Sequence, residues 1–246
     1  MKTFTYWIVL VIMVYGSTEL LSYGGLHLLN RYRHTRYEPI DVISTMHSRI
    51  IRRFMKQKIS YRSLNPTLGW SIKENGSAHL YQANSAGIRS NKEYAFTPPP
   101  GVRRVSTCGD SYTHCSDVKN DETWQAFMES YGSNIEALKF GVGAFGLDQA
   151  YLRYLEDGIQ YNSHIVLIGC MPDNIYRNVN TYRPFLNSRT RMPLAKPRFV
   201  IRDGTLSLVP NPMRTLNDYN MLLSNPRDVL SEIGIHNHYY NPTFTI

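Results

Sequence analysis

Cysteine is scarce in this chain of 246 residues: only Cys108, Cys115 and Cys170 are present. None falls in a Cys-x-x-Cys pair, and an odd number does not build a disulfide framework. They read as free thiols, which behave as small apolar residues. No His/Cys cluster has zinc-ligand spacing, so neither a metal nor another cofactor is expected. Negative charge is also in short supply. Asp and Glu total 19 against 27 Lys and Arg, a formal charge of +8. That excess comes without a nucleic-acid-binding motif or a basic-aromatic repeat, so nucleic acid is not an expected partner. Repeats and low-complexity tracts are absent. With 42% hydrophobic and 19% charged residues, the chain is globular rather than disordered.

What is present begins with an apolar run from Thr5 to Leu29, densest between Trp7 and Tyr15. About 20 such residues cross a bilayer as a helix. Gly16, Ser17, Thr18 and Glu19 interrupt the run. Glu19 would cost up to about 2.5–3.5 kcal/mol at mid-membrane. Trp7, Tyr15 and Tyr23 suit the interfaces. Residues 1–30 therefore read as a single-pass membrane anchor or a signal-like helix. The absence of a small-x-small cleavage site favours the uncleaved anchor. The third reading is a soluble amphipathic helix. Basic residues follow in Arg31-Tyr-Arg33-His-Thr-Arg36 and continue to Arg62. Beside an apolar segment they read as contact with anionic lipid headgroups. The positive-inside rule would keep this flank in the cytoplasm. The family likeness given below often goes with an extracytoplasmic domain, so the side of the membrane stays open.

Composition divides the rest into three parts. Residues 31–63 form a basic connector with helical spacing at Met46, Ile50, Ile51 and Phe54. Residues 64–100 form a small β-rich lead-in, punctuated by Asn65-Pro66, Gly69, Asn75-Gly76, Gly87 and Pro98-Pro-Pro100. Residues 101–246 carry an α/β pattern. Strands are expected at 103–108, 135–140 and 165–168. A helix opens at Asp121-Glu-Thr-Trp124, and another is marked by Leu147, Tyr151 and Leu155. Strands alternating with helices imply right-handed βαβ units and a parallel sheet. The run Ile165-Val-Leu-Ile168 has the composition of a buried parallel strand. Beyond Asn180 the alternation stops. A hairpin is expected over 199–209, turning at Asp203-Gly204, with short helices over 215–223 and 226–233.

The stretch that carries chemistry is Val105-Ser-Thr-Cys-Gly-Asp-Ser-Tyr-Thr-His114. A strand runs into Gly109-Asp110-Ser111 and a helix follows. Ligands of parallel sheets bind at the carboxyl ends of strands, so Ser111 lands at a site edge. Its amide can point at a developing oxyanion, which acyl transfer requires. Gly143, in the glycine-rich Phe140–Gln149 segment after the second strand, could bring an amide to the same place. Asp173 and Asn174 follow the third strand and land on the same edge. Such a turn is also common where no chemistry occurs.

Gly-Asp-Ser-Tyr-Thr, Asp-Glu-Thr-Trp and Gly-Val-Gly-Ala-Phe-Gly-Leu-Asp-Gln together resemble the first two blocks of the SGNH/GDSL hydrolases. They are most similar to membrane-anchored bacterial members with a β-rich lead-in. The likeness covers about residues 64–180. It implies a three-layer, flavodoxin-like α/β fold with a parallel sheet. It also implies Ser111 as nucleophile and first oxyanion donor, and Gly143 as second donor. The third block of the family is Gly-x-Asn-Asp, whereas this chain has Pro172-Asp173-Asn174. Asn174 is the choice for the third donor, one residue out of register. Asp173 is the alternative occupant, and its carboxylate would repel an oxyanion. The family's base, a His three residues after an Asp, has no counterpart here. His236 and His238 come late, with Asp228 eight residues before His236. His114 reads as a wall of the site rather than its base. Three parallel strands stand where the family has about five. The expectation is therefore a sheet incomplete at its C-terminal side, as in a truncated gene or fragment, or else a divergent non-catalytic member. The expected function is a serine esterase or O-acyltransferase acting on a small-molecule, glycan or lipid ester. The alternative is a non-catalytic, membrane-tethered binding or assembly protein.

Overall fold

The computed structural model describes residues 2–32, 42–132 and 134–240. The chain divides into two units, Met1–Pro39 and Ile40–Ile246. Among the described residues the first holds one helix, α1 (Lys2–Tyr32). At 1.5 Å per residue it is about 46 Å long. Its stretch Phe4–Leu28 is long and apolar enough to cross a membrane, and none of it is buried against protein. A signal sequence shares that length and composition. The polar interruption is satisfied within the helix. Ser17 Oγ donates to the Met13 carbonyl at 2.7 Å, and Thr18 Oγ1 donates to that of Val14 at 2.9 Å. Back-bonding of this kind lowers the cost of hydroxyls in an apolar setting.

The second unit opens with α2 (Thr45–Met55), whose N-terminus is capped by Ser44. His47, Ile51 and Phe54 recur at helical spacing and form its buried face. Strands β1 (Arg62–Asn65) and β2 (Gly69–Ile72) pair as an antiparallel hairpin. The α/β part then runs β3 (Arg103–Cys108), α3 (Ser111–His114), α4 (Trp124–Ser130), β4 (Ile135–Lys139), α5 (Leu147–Arg153), β5 (Ile165–Ile168) and α6 (Asn174–Asn178). Next come α7 (Arg183–Leu186), the hairpin β6 (Arg198–Arg202) and β7 (Thr205–Val209), then α8 (Leu216–Ser224) and α9 (Pro226–Gly234). The β6–β7 turn sits at Asp203 and Gly204, both with positive φ (50° and 75°), as a two-residue hairpin of primed type requires.

The main sheet has the order β4-β3-β5, with both pairings parallel. Val105 of β3 lies opposite Ala137 on one side and Ile165 on the other. Central β3 is buried from Arg104 to Cys108. The expectation of a buried β5 is not met: Ile165, Leu167 and Ile168 are 46%, 43% and 42% exposed. Among the described residues no strand pairs with its outer edge, so side chains of the right composition stay uncovered.

The three parts that composition separates after α1 share one core. It joins Ile51 and Phe54 of α2, Leu68 and Trp70 of the hairpin, Val142 and Phe145 after β4, and Tyr219, Leu222 and Leu230 of the last helices. β1 begins inside the basic connector, and residues 73–100 contain no strand beyond an isolated bridge between Ser77 and Gln82. A buried ion pair between Lys196 and Asp148 ties the segment before β6 to α5. Removing one partner strands the other charge. Lys196→Ala should therefore destabilise the fold by about 3–5 kcal/mol in urea unfolding, and apolar replacement of both partners should recover most of that loss. A single substitution with no change in midpoint would contradict this role.

Candidate functional site

The chain leaves β3 for β4 on one side of the sheet and returns to β5 on the other. The carboxyl ends of β3 and β5 thus flank a topological switch point, where open parallel sheets bind ligands. Asp110 and Ser111 sit there. Asp110 caps α3, its carboxylate accepting from the Tyr112 amide at 2.9 Å. Its second oxygen accepts from Arg177 Nη1 of α6 at 3.0 Å. Ser111, the first residue of α3, is half-buried.

α3 can lie this close to the sheet because each strand end carries a glycine. Thr113 Oγ1 occupies the space that a Cβ on Gly109 or Gly169 would need. A Cβ on Gly141 would come within 2.6 Å of the His114 nitrogen. From the other side Gln125 Nε2 donates to the Thr113 carbonyl at 2.7 Å. The buried Arg89 guanidinium donates to the carbonyls of His114, Cys115 (2.7 Å) and Val118 (2.6 Å), satisfying the C-terminal end of α3.

The Gly143 loop is pinned against this seat. Val142 N–H donates to the Gly109 carbonyl at 2.9 Å. Trp70 Nε1 donates to the Gly143 carbonyl at 3.1 Å, and Gln149 Nε2 reaches the Leu68 carbonyl at 2.7 Å. Ser111 and Gly143 are thus brought together, each within two residues of the Val142–Gly109 bond. Among the described residues neither the Ser111 nor the Gly143 N–H has an acceptor. Arg62 lies over the loop, its Nη2 2.8 Å from where a Gly143 Cβ would stand. Among the described residues the Arg62 guanidinium makes no ion pair.

Asn174, 2% exposed, reaches the same loop. Its Nδ2 donates to the Phe145 carbonyl at 3.3 Å, and its Oδ1 accepts from the Met171 amide at 2.7 Å. Asp173 is exposed. It lines a cavity of about 530 Å³ together with Arg177, Arg183 and Arg189.

No family model matches the chain, and no curated protein matches it.

Nothing among the described residues hydrogen-bonds the Ser111 hydroxyl. The nearest imidazole in sequence, His114, is committed elsewhere: Nε2 pairs with Tyr61 OH at 2.8 Å and Nδ1 with Ser116 Oγ at 3.1 Å. Burial, and then the cations Arg89, Arg62 and Arg153, push its pKa down to about 2. His236 and His238 are exposed. Their backbones are tied by Arg198 and Val179, and among the described residues neither ring is hydrogen-bonded to Ser111. Of the thiols, Cys108 is buried, with its pKa pushed up to about 12 by desolvation, whereas Cys115 is half-buried and Cys170 exposed. Among the described residues no group of His, Cys, Asp or Glu is placed to hold a metal ion.

Several residues that build the site carry no sequence signal of their own. Arg62, Trp70 and Arg89 come from the lead-in and its flank, distant in sequence from Ser111. The glycines at the strand ends are visible in sequence, but what they admit, Thr113, is not.

His114 makes the fold acid-sensitive. An unfolded imidazole titrates near pH 6.5. As pH falls below that value, the unfolded chain takes up the proton first. The stability contributed by neutral His114 is complete above about pH 6.5 and erodes below it by up to about 1.4 kcal/mol per pH unit. Between pH 7 and pH 5 a His114→Gln variant should lose about 2 kcal/mol less stability than the parent chain in denaturant titrations. Equal losses would show that His114 is not held neutral.

Proposed function

We propose that Ser111 is the nucleophile of an SGNH-type ester hydrolase or O-acyltransferase on a flavodoxin-like fold, anchored to a membrane by α1. The observation that carries this reading is the pairing of two unengaged amides, those of Ser111 and Gly143, at the switch point. Ser111 Oγ would attack the ester carbonyl carbon. The C–O bond to serine forms, the carbonyl oxygen becomes negative, and the two N–H groups stabilise it. The alcohol then leaves with a proton, and the acyl group passes from serine to water or to a second alcohol. Asn174 would serve as third donor through the N–H that Phe145 leaves free. Asp173 fits that place poorly, being exposed and acidic. The substrate would be a small-molecule, glycan or lipid ester, with no cofactor. Ser111 needs a proton acceptor, and none of the described residues is hydrogen-bonded to its hydroxyl.

A second reading has one observation in its favour. With no described residue hydrogen-bonded to the Ser111 hydroxyl and both His114 nitrogens engaged, the same strand ends would bind a ligand without turning it over. The chain would then be a membrane-tethered binding or assembly protein.

A fluorophosphonate probe separates the two. The first reading expects covalent labelling of the intact chain at Ser111 and none of Ser111→Ala. An unlabelled chain, or labelling that survives Ser111→Ala, favours the binding protein.

A further inference from the structure

We propose that the outer face of α2 is a docking surface for anionic lipid headgroups, holding the second unit against the bilayer that α1 crosses. The proposal rests on the anchor reading of α1 and concerns a different element.

Arg49, Arg52, Arg53 and Lys56 recur at i, i+3, i+4 and i+7, so they form one stripe along the helix. All four are exposed, and the stripe lies opposite the buried His47, Ile51 and Phe54. None makes an ion pair with a described residue. From Val42 to Lys73 the sequence contains no Asp or Glu, while Lys58, Arg62 and Lys73 add further positive charge. A stripe meant only for solvation is usually mixed in sign, with carboxylates at i+4 from the cations. At the N-terminal end, nearer in sequence to α1, the exposed residues turn apolar: Val42 is 54% and Met46 40% exposed. A basic stripe with exposed apolar residues at one end is the pattern of an element lying on an anionic membrane surface. The chain from Tyr32 to Val42 spans at most about 35 Å when fully extended.

α2 is also rigidly mounted. Ser44 Oγ accepts from the His47 amide at 3.1 Å, and His47 Nε2 pairs with the Thr190 carbonyl at 3.1 Å. Docking through this face would fix the orientation of the whole second unit.

The test is covalent footprinting of the full chain reconstituted in vesicles. Phenylglyoxal reads the arginines and an acylating reagent reads the lysines, by mass spectrometry. Vesicles of phosphatidylcholine alone are compared with vesicles containing about 30% phosphatidylglycerol. Modification of Arg49, Arg52, Arg53 and Lys56 should slow about fivefold or more on the anionic vesicles, while the exposed Arg202 and Arg214 are unchanged. Protection should vanish near 0.5 M NaCl, where the screening length is about 4 Å. In the variant Arg49→Glu, Arg52→Glu, Arg53→Glu, Lys56 should lose its protection. Incorporation into both vesicles with equal stripe reactivity overturns the α2 proposal and leaves the anchor standing. A chain that incorporates into neither overturns both.

Discussion

The close approach of α3 to three strand ends is the constraint on which the site depends. Thr113 packs where side chains on Gly109 and Gly169 would stand, and His114 backbone packs against Gly141. A methyl group at any of these positions would push the helix off the sheet. Asp110 would then lose its place beside Arg177, and Ser111 would leave the switch point. The lead-in supplies the outer half of the same clamp. Arg89 is fully buried, and its desolvation is offset by carbonyls at the end of α3. Trp70 holds the Gly143 carbonyl, and Gln149 links that loop to Leu68. The lead-in is therefore a wall of the site and not an appendage to it.

Two features on the β5 side remain open among the described residues. One is the edge of β5, where Ile165 and Leu167 face outward without charge, proline or bulge to discourage pairing. The other is the Ser111 hydroxyl, which lacks a base. A parallel sheet is ordinarily covered on both faces, and a serine nucleophile is ordinarily served by an imidazole. Burial, and then the positive charge of Arg89, Arg62 and Arg153, disfavours a protonated imidazole at His114.

Much of the α/β part is legible in the sequence because its signals are local. The strand limits at 103–108 and 165–168 follow from short β-branched runs, and the Asp203-Gly204 turn from its residue types. The parallel pairing of three strands follows from their alternation with helices, whereas the order β4-β3-β5 does not. The exposure of β5 is not legible, because composition reports what a strand needs and not whether a neighbour supplies it. Residues 73–100 look extended by their punctuation, yet they satisfy their backbone locally. Asn84 Oδ1 accepts from the amides of Ala86 and Ile88, and Nδ2 donates to the Lys92 carbonyl, so turns replace ladders. The position of Ser111 after a strand and before a helix is legible. The seating of α3, the reach of Arg62 and Arg89, and the inward turn of Asn174 are products of tertiary packing.

The most direct measurement is the covalent state of Ser111 during turnover of a simple ester. The full chain is mixed with p-nitrophenyl acetate, quenched in acid and digested with trypsin, and the peptide Val105–Lys119 is sequenced by mass spectrometry. The account predicts an acetyl group on Ser111 that is absent in Ser111→Ala. An unmodified peptide, or acetylation on another hydroxyl of that peptide unaffected by Ser111→Ala, would contradict it.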